Sequence, residues 1–332
     1  MVNELASSKK INHTFPLHLQ MRITRALVGG FPRLNLNIDK AIGASIELQL
    51  KHGIDILSDG DQRGDMISYY SMDIPGLDIE GGFSIVSGKV RPPADVMEVR
   101  KVKDFLMLRK KYPDLKFKVS VVGPTTMALV CGNKKIVNGY KNYVDFSLAS
   151  DIATALKEIV SPLAKMKAFI QIDEPFFSQG LRDLRERTRL VDGILEGCDR
   201  SLCSVHVCGF LGRQPLLQEL ARLENVGTLS HAFSIDRDGE KDNVKLMSRE
   251  IFEDSDKKLA AGIISVSART VKDIERPQTT ARRLRTIVDR IGLDNLAYVT
   301  PDCYLRALDK ELIEEVLAGF TKGTDLFENE MQ

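Results

Sequence analysis

The chain has 332 residues, 43% hydrophobic and 28% charged, which suits one large soluble unit with a sizeable buried core. Lys plus Arg total 47 against 46 for Asp plus Glu, so charge gives no reason to expect a nucleic acid or a membrane as partner. No apolar run is long enough for a membrane span, and the N-terminal MVNELASSKKINHTFPLHLQ lacks the apolar core of a secretory signal.

Residues 1–20 precede the first apolar run and read as an arm, and residues 21–332 read as one catalytic unit. In chain order, strand-like runs are expected at 24–28, 54–57, 117–122, 168–172, 202–205, 227–229, 262–266 and 296–299. Helical patterns fall between them at 38–52, 146–167, 181–195, 214–223, 274–290 and 310–320. Strands alternating with helices predict a single α/β (β/α)8 TIM-type barrel. A doubly wound open sheet is the competing architecture, but no Gly-rich dinucleotide loop follows the first strand. Residues 60–95 form a long Gly- and Pro-containing connection after the second strand, a kind of segment that is usually functional or disordered. Five cysteines, at 131, 198, 203, 208 and 303, fit a reducing, cytoplasmic setting in which thiols are core residues or metal ligands.

In a β/α barrel, chemistry gathers at the carboxyl ends of the strands. Those ends read GGFPR (29–33), SDGDQRGDM (58–66), GPTT (123–126), QIDEP (171–175), HVCG (206–209), SHAFS (230–234) and TPDC (300–303). His206 and Cys208 stand two apart on a strand, so both side chains reach the same side. Cys303 could add a third ligand across the mouth. Two sulfurs and one nitrogen suit zinc and leave a position open. The bland alternative is a satisfied histidine and two buried thiols; the company of the other strand-end motifs favours the metal. Cys131, Cys198 and Cys203 read as structural.

Of Asp173 and Glu174, one carboxylate should face the mouth, and the pair could equally cap a helix whose first turn holds Pro175. Asp59, Asp61 and Asp65 flank Arg63 and could offer an anion to an ammonium and a cation to a carboxylate, or be solvated loop charges. Lys89 and Arg91, in SGKVRPPAD, are either a solvated face or contacts to an anionic partner, and they are the candidate cofactor-binding residues.

Together these motifs, in order from about residue 24 to 306, resemble the catalytic domain of cobalamin-independent methionine synthase, in the short form that lacks the N-terminal barrel. The resemblance implies a zinc ion that binds homocysteine as a thiolate, lowering its pKa for attack on a methyl group. It implies zinc ligation by His206, Cys208 and Cys303, and contact of Asp173 and Asp61 with the homocysteine ammonium. Gly29 and Gly30 match a Gly-Ser pair that holds the carboxylate; with Gly30 in place of Ser, only the backbone contact carries over.

The sequence departs from the family in three ways. A further ligand, Glu, is expected in the sixth strand-end motif, where this chain has His231-Ala232-Phe233. His231 could substitute only against strand alternation, and Asp236 is a weaker candidate. The proton-donating His after the seventh strand is replaced by the run Ser265 to Arg269. Trp, on which full-length relatives stack the folate pterin, is absent from the chain. The missing Trp and N-terminal barrel argue against a folate donor, and the resemblance to the short form implies methylcobalamin, or a methylated corrinoid on a carrier protein, as the methyl donor. The alternatives are a corrinoid-dependent enzyme methylating another thiol such as coenzyme M, and a noncatalytic zinc-stabilised barrel.

Overall fold

The computed structural model describes residues 22–234 and 242–332, so the expected N-terminal arm and Asp236 lie outside the described residues. The main sheet has parallel strands β1 (Ile56–Leu57), β4 (Lys116–Val122), β5 (Phe169–Asp173), β6 (Cys203–Val207), β7 (Thr228–Ala232), β8 (Lys258–Ile264) and β9 (Leu296–Pro301), neighbours in that order. The remaining two strands, β2 (Leu77–Glu80) and β3 (Phe83–Val86), form a separate antiparallel hairpin.

The first expected strand is reduced to two bridges, yet these close the barrel. Arg25 pairs in parallel with Val299 of β9, and Ala26 with Ile56 of β1. The Ala26 N–H donates to the Val299 carbonyl at 2.9 Å, and the Ile56 N–H to the Arg25 carbonyl at 3.1 Å. The seventh expected strand starts earlier than its apolar run suggested, at Lys258 rather than Gly262. Lys258, exposed at the strand's start, donates its ammonium to the Asp294 carbonyl at 2.8 Å.

Two faces of each strand meet two different cores. Val119, Val121, Ile170, Ile172, Val205, Val207 and Leu229 face the surrounding helices in one large apolar cluster. Ala26, Ile56, Ala260 and Tyr298 form a small separate cluster inside the barrel. Above it the interior turns polar. The ring helices include α5 (Phe146–Lys165), which buries Leu148, Ile152, Leu156, Ile159 and Leu163 at helical spacing. The last helix, α10 (Lys310–Glu330), runs ten residues past its expected end because Phe327 and Glu328 still have barrel to pack on.

The long connection after β1 is ordered. It carries a short helix, Ser68–Ser71, and the β2–β3 hairpin. The two-residue turn is Gly81-Gly82, both at positive φ (59° and 82°), the primed geometry that matches strand twist.

Arg25 anchors the closure. Its guanidinium is 7% exposed and pairs with Glu328 at 3.0 Å and Asp325 at 2.5 Å, and the other Glu328 oxygen accepts the Ile23 N–H at 2.6 Å. Arg25→Met should strand the Glu328 carboxylate and lower stability by about 3 kcal/mol, measured as a fall in the urea midpoint at constant m-value.

Candidate metal and acceptor site

Parallel register places one row of side chains across the barrel. Asp173 of β5 pairs with His206 of β6, His206 with Ser230 of β7, and Ser230 with Ala260 of β8. Alternation then fixes what lies above and beside them.

His206 is buried, with Nδ1 3.0 Å from the Ser230 hydroxyl oxygen. Its Nε2 is buried without a partner. One imidazole nitrogen of His206 and the Cys208 and Cys303 sulfurs all lie within 4.8 Å of one another. Around zinc, with bonds of about 2.1 Å to nitrogen and about 2.3 Å to sulfur, ligand atoms stand roughly 3.5–3.8 Å apart. The trio is therefore close to metal-binding spacing, and the orphaned imidazole nitrogen is the atom an ion would satisfy. Between the thiols, the hydrogen bond from Cys303 holds Cys208 below the usual cysteine range, while that bond and burial push Cys303 up.

His231 is turned the other way. Its register partner is Val207, on the outward face, and its Nδ1 lies 3.1 Å from the Val207 carbonyl. Burial pushes its pKa down to about 3. It does not join the trio, so the expectation that it might substitute for the lost carboxylate fails on strand parity. Ala232 has the inward parity and lines a cavity of about 290 Å³ with Cys208, Ser178, Arg213, Ser234 and Asn243. Asp302 accepts the Phe233 N–H at 3.0 Å and the Ser234 N–H at 3.2 Å, so it shapes the loop after β7.

Asp173 and Glu174 part ways, and neither side chain caps the helical turn at Pro175, where Glu174 makes no side-chain cap hydrogen bond. Glu174 accepts the Thr125 and Thr126 N–H groups at 2.8 and 2.9 Å and the Thr126 hydroxyl at 2.7 Å. It thus caps the helix α4 (Pro124–Lys134) from the neighbouring strand end. Asp173 faces inward. Its Oδ1 accepts from Gln171 Nε2 at 2.7 Å and its Oδ2 from the Tyr304 hydroxyl at 2.6 Å. Gln171 in turn accepts from the buried Lys118 ammonium at 2.7 Å. Burial pushes Asp173 up to about 6 and Lys118 down to about 7.

The GDQRGDM loop contributes less than its charge suggested. Arg63 is committed to a two-point ion pair with Asp104, at 2.6 and 2.7 Å. Asp65 accepts the Ile67 and Ser68 N–H groups, both at 2.9 Å, at the start of the short helix. Asp59 and Asp61 share the ammonium of Lys101, which is 2% exposed and lies 4.2 Å from the Tyr69 ring centre. Burial raises the Asp61 pKa; burial also opposes the Lys101 charge, but the two carboxylates hold that ammonium above the usual lysine range. Asp61 alone reaches the glycine pair, its Oδ2 accepting the Gly30 N–H at 3.1 Å.

Gly29, Gly30, Asp61 and Asp173 therefore converge, and Tyr304 joins them. A Cβ at Gly29 would stand 2.8 Å from the Tyr304 ring and 3.3 Å from Asp61 Oδ2. Lys89 and Arg91 are not brought in. Lys89 pairs with Asp151 and lies 4.8 Å from the Tyr140 ring centre, and Arg91 is exposed. The sequence reading missed Ser230, Lys101, Lys118 and Tyr304. The clues for Ser230 and Tyr304 were their positions, one inside SHAFS and the other immediately after Cys303.

A closed β/α barrel with an imidazole, two thiols and two carboxylates gathered at its strand ends defines a barrel enzyme. Residues 18–321 match the family described as cobalamin-independent synthase, catalytic domain, and the chain belongs to that family, a methyltransferase related to methionine synthase. It is 31% identical over 275 residues to a methionine synthase of Methanothermobacter thermautotrophicus, covering 82% of this chain and 84% of the relative. A methionine synthase of Methanocaldococcus jannaschii is 27% identical over 86% of this chain and 88% of its own length. Among solved structures, the B12-independent methionine synthase from Shewanella sp. W3-18-1 in complex with selenomethionine shares the fold. Its TM-score is 0.75 at 22% identity, covering 93% of this chain and 98% of that one.

The Glu174 cap can be tested apart from the chemistry. Glu174→Ala leaves two helix N–H groups unsatisfied and should lower stability by about 2–3 kcal/mol, read by chemical denaturation.

Proposed function

We propose that this protein transfers a methyl group to the thiol of homocysteine, forming methionine, with zinc held by His206, Cys208 and Cys303. The observation that carries the reading is the clustering of His206 with two thiols, together with the partnerless, buried Nε2 of that imidazole. It sits one strand away from the inward carboxylate of Asp173, in a chain whose relatives are named methionine synthases. Bound zinc would supply Lewis acidity, making a thiol a thiolate at neutral pH.

The chain's own residues do the rest. Ser230 occupies His206 Nδ1 and so leaves Nε2 for the ion. Asp173 and Asp61 offer negative charge to the ammonium of the amino acid. The backbone at Gly29 and Gly30 lets the amino acid approach closely, since neither position carries a Cβ. Ala232 supplies no donor, so among the described residues the trio has three protein ligands and an open side toward the 290 Å³ cavity.

The donor we propose is methylcobalamin or a methylated corrinoid on a carrier protein. Segment 127–131, where a pterin would stack, lies in α4 with Met127 and Cys131 wholly buried. Leu129 and Val130 of the same segment, with Phe83, Tyr143 and Phe176, wall an apolar groove of about 470 Å³, suited to a broad apolar surface. A second reading, methylation of an anionic thiol such as coenzyme M, is favoured by Arg213 in the cavity against Cys208. Lys89 and Arg91 remain proposed contacts to an anionic cofactor or carrier. No helix among the described residues is long and apolar enough to cross a membrane.

Purified zinc-loaded protein should form methionine from homocysteine and methylcobalamin. Turnover with methyltetrahydrofolate alone would refute the donor, and a preference for coenzyme M over homocysteine would refute the acceptor. Cys208→Ser and Cys303→Ser should each lose stoichiometric zinc by metal analysis while the far-UV circular dichroism of the barrel is retained. Full zinc retention in both variants would remove the proposed metal site.

A further inference from the structure

Tyr304 stands where the proposed acceptor must go. Its ring lies against the glycine pair: a Cβ at Gly29 would be 2.8 Å from the ring, and one at Gly30 3.0 Å. Its hydroxyl donates to Asp173 Oδ2 at 2.6 Å. The other Asp173 oxygen is held by Gln171, and the Gly30 N–H is given to Asp61. The ammonium-binding carboxylate and the carboxylate-binding N–H therefore both have internal partners, and an aromatic ring fills the space between them.

The backbone around Tyr304 is pinned. Leu305 is 1% exposed, and Arg306 donates to the Gly64 carbonyl at 2.6 Å and to the Asp61 carbonyl at 3.2 Å. Cys303, on the other side, belongs to the metal trio. Any movement must come from rotation of the phenol side chain, which is partly exposed. A thiol small enough to reach the metal without entering this subsite has no need to move it. An α-amino acid thiol must.

We infer that Tyr304 is a plug in the head-group subsite, displaced only by a thiol whose ammonium can take over the hydrogen bond to Asp173. This rests on the acceptor proposed above. The exchange replaces a neutral O–H donor with a charged N–H donor on the same carboxylate, the stronger of the two bonds. The plug sets acceptor selectivity because the closed form lowers the apparent affinity of every ligand that has to open it, and of no other.

The test compares zinc-loaded wild type with Tyr304→Phe, which keeps the ring and removes the bond to Asp173. By calorimetry, L-homocysteine should bind the variant roughly ten-fold more tightly, whereas 2-mercaptoethanol should bind both proteins alike. In turnover the KM for homocysteine should fall by a larger factor than any change in kcat. The chain has no Trp and seven Tyr, so homocysteine should also give a near-UV tyrosine difference spectrum in the wild type that the variant lacks. Equal homocysteine affinity in both proteins, with no difference spectrum, overturns the plug and leaves the acceptor reading standing. Binding of 2-mercaptoethanol but not of homocysteine to either protein overturns both.

Discussion

The site depends on the two-residue alternation of a parallel strand held in lateral register. Asp173, His206 and Ser230 form one row because β5, β6 and β7 pair without a slip across that level. A shift of one residue in β6 would send His206 among the helices and bring Val207 inward. The same parity separates Ala232 from His231: the residue that could have donated faces away, and the one that faces inward has nothing to donate. The proposed metal site is therefore constrained by strand geometry before any question of side-chain affinity arises.

Such an interior is costly, and its pairings explain how it persists. Lys118, Gln171 and Asp173 form a continuous hydrogen-bonded line within the barrel, and Lys101 serves two carboxylates. An ion removed from water is tolerated only where its partners satisfy most of its hydrogen-bonding capacity. The apolar plug of Ala26, Ile56, Ala260 and Tyr298 lies within the same barrel. Stability thus comes from the outer core of strand and helix side chains, which leaves the polar interior available for chemistry.

Much of this was legible because strand ends and alternation are local features. The barrel, the strand-end motifs and the HVC spacing needed only a few consecutive residues each, as did the expectation that one of Asp173 and Glu174 faces inward. What escaped was long-range. Lys101 lies in a helix rich in ordinary surface charge, α3 (Arg100–Lys111), and only folding brings it onto Asp59 and Asp61, 40 and more residues away. Arg63 looked like a substrate cation because Asp104 is equally remote in sequence. The first strand was over-read: its apolar run continues to Val28, but pairing is confined to Arg25 and Ala26. The hairpin was missed although its Gly-Gly turn was in plain view, because a long connection without helical period reads as loop.

The two acidic groups proposed to receive the acceptor are not equivalent, and the difference lies in their partners. Asp61 faces a full positive charge on Lys101, itself nearly inaccessible to water, and separating them would strand two buried ions. Asp173 is capped by neutral donors, the Tyr304 hydroxyl and the Gln171 amide. Releasing a phenol from a carboxylate strands no second ion, and an incoming ammonium supplies a better counterpart than the group that leaves. Asp61 is thus suited to be the fixed wall of the subsite and Asp173 its exchangeable contact. A carboxylate held by a neutral, rotatable donor keeps a hydrogen-bond partner without substrate, yet remains open to exchange with a charged one.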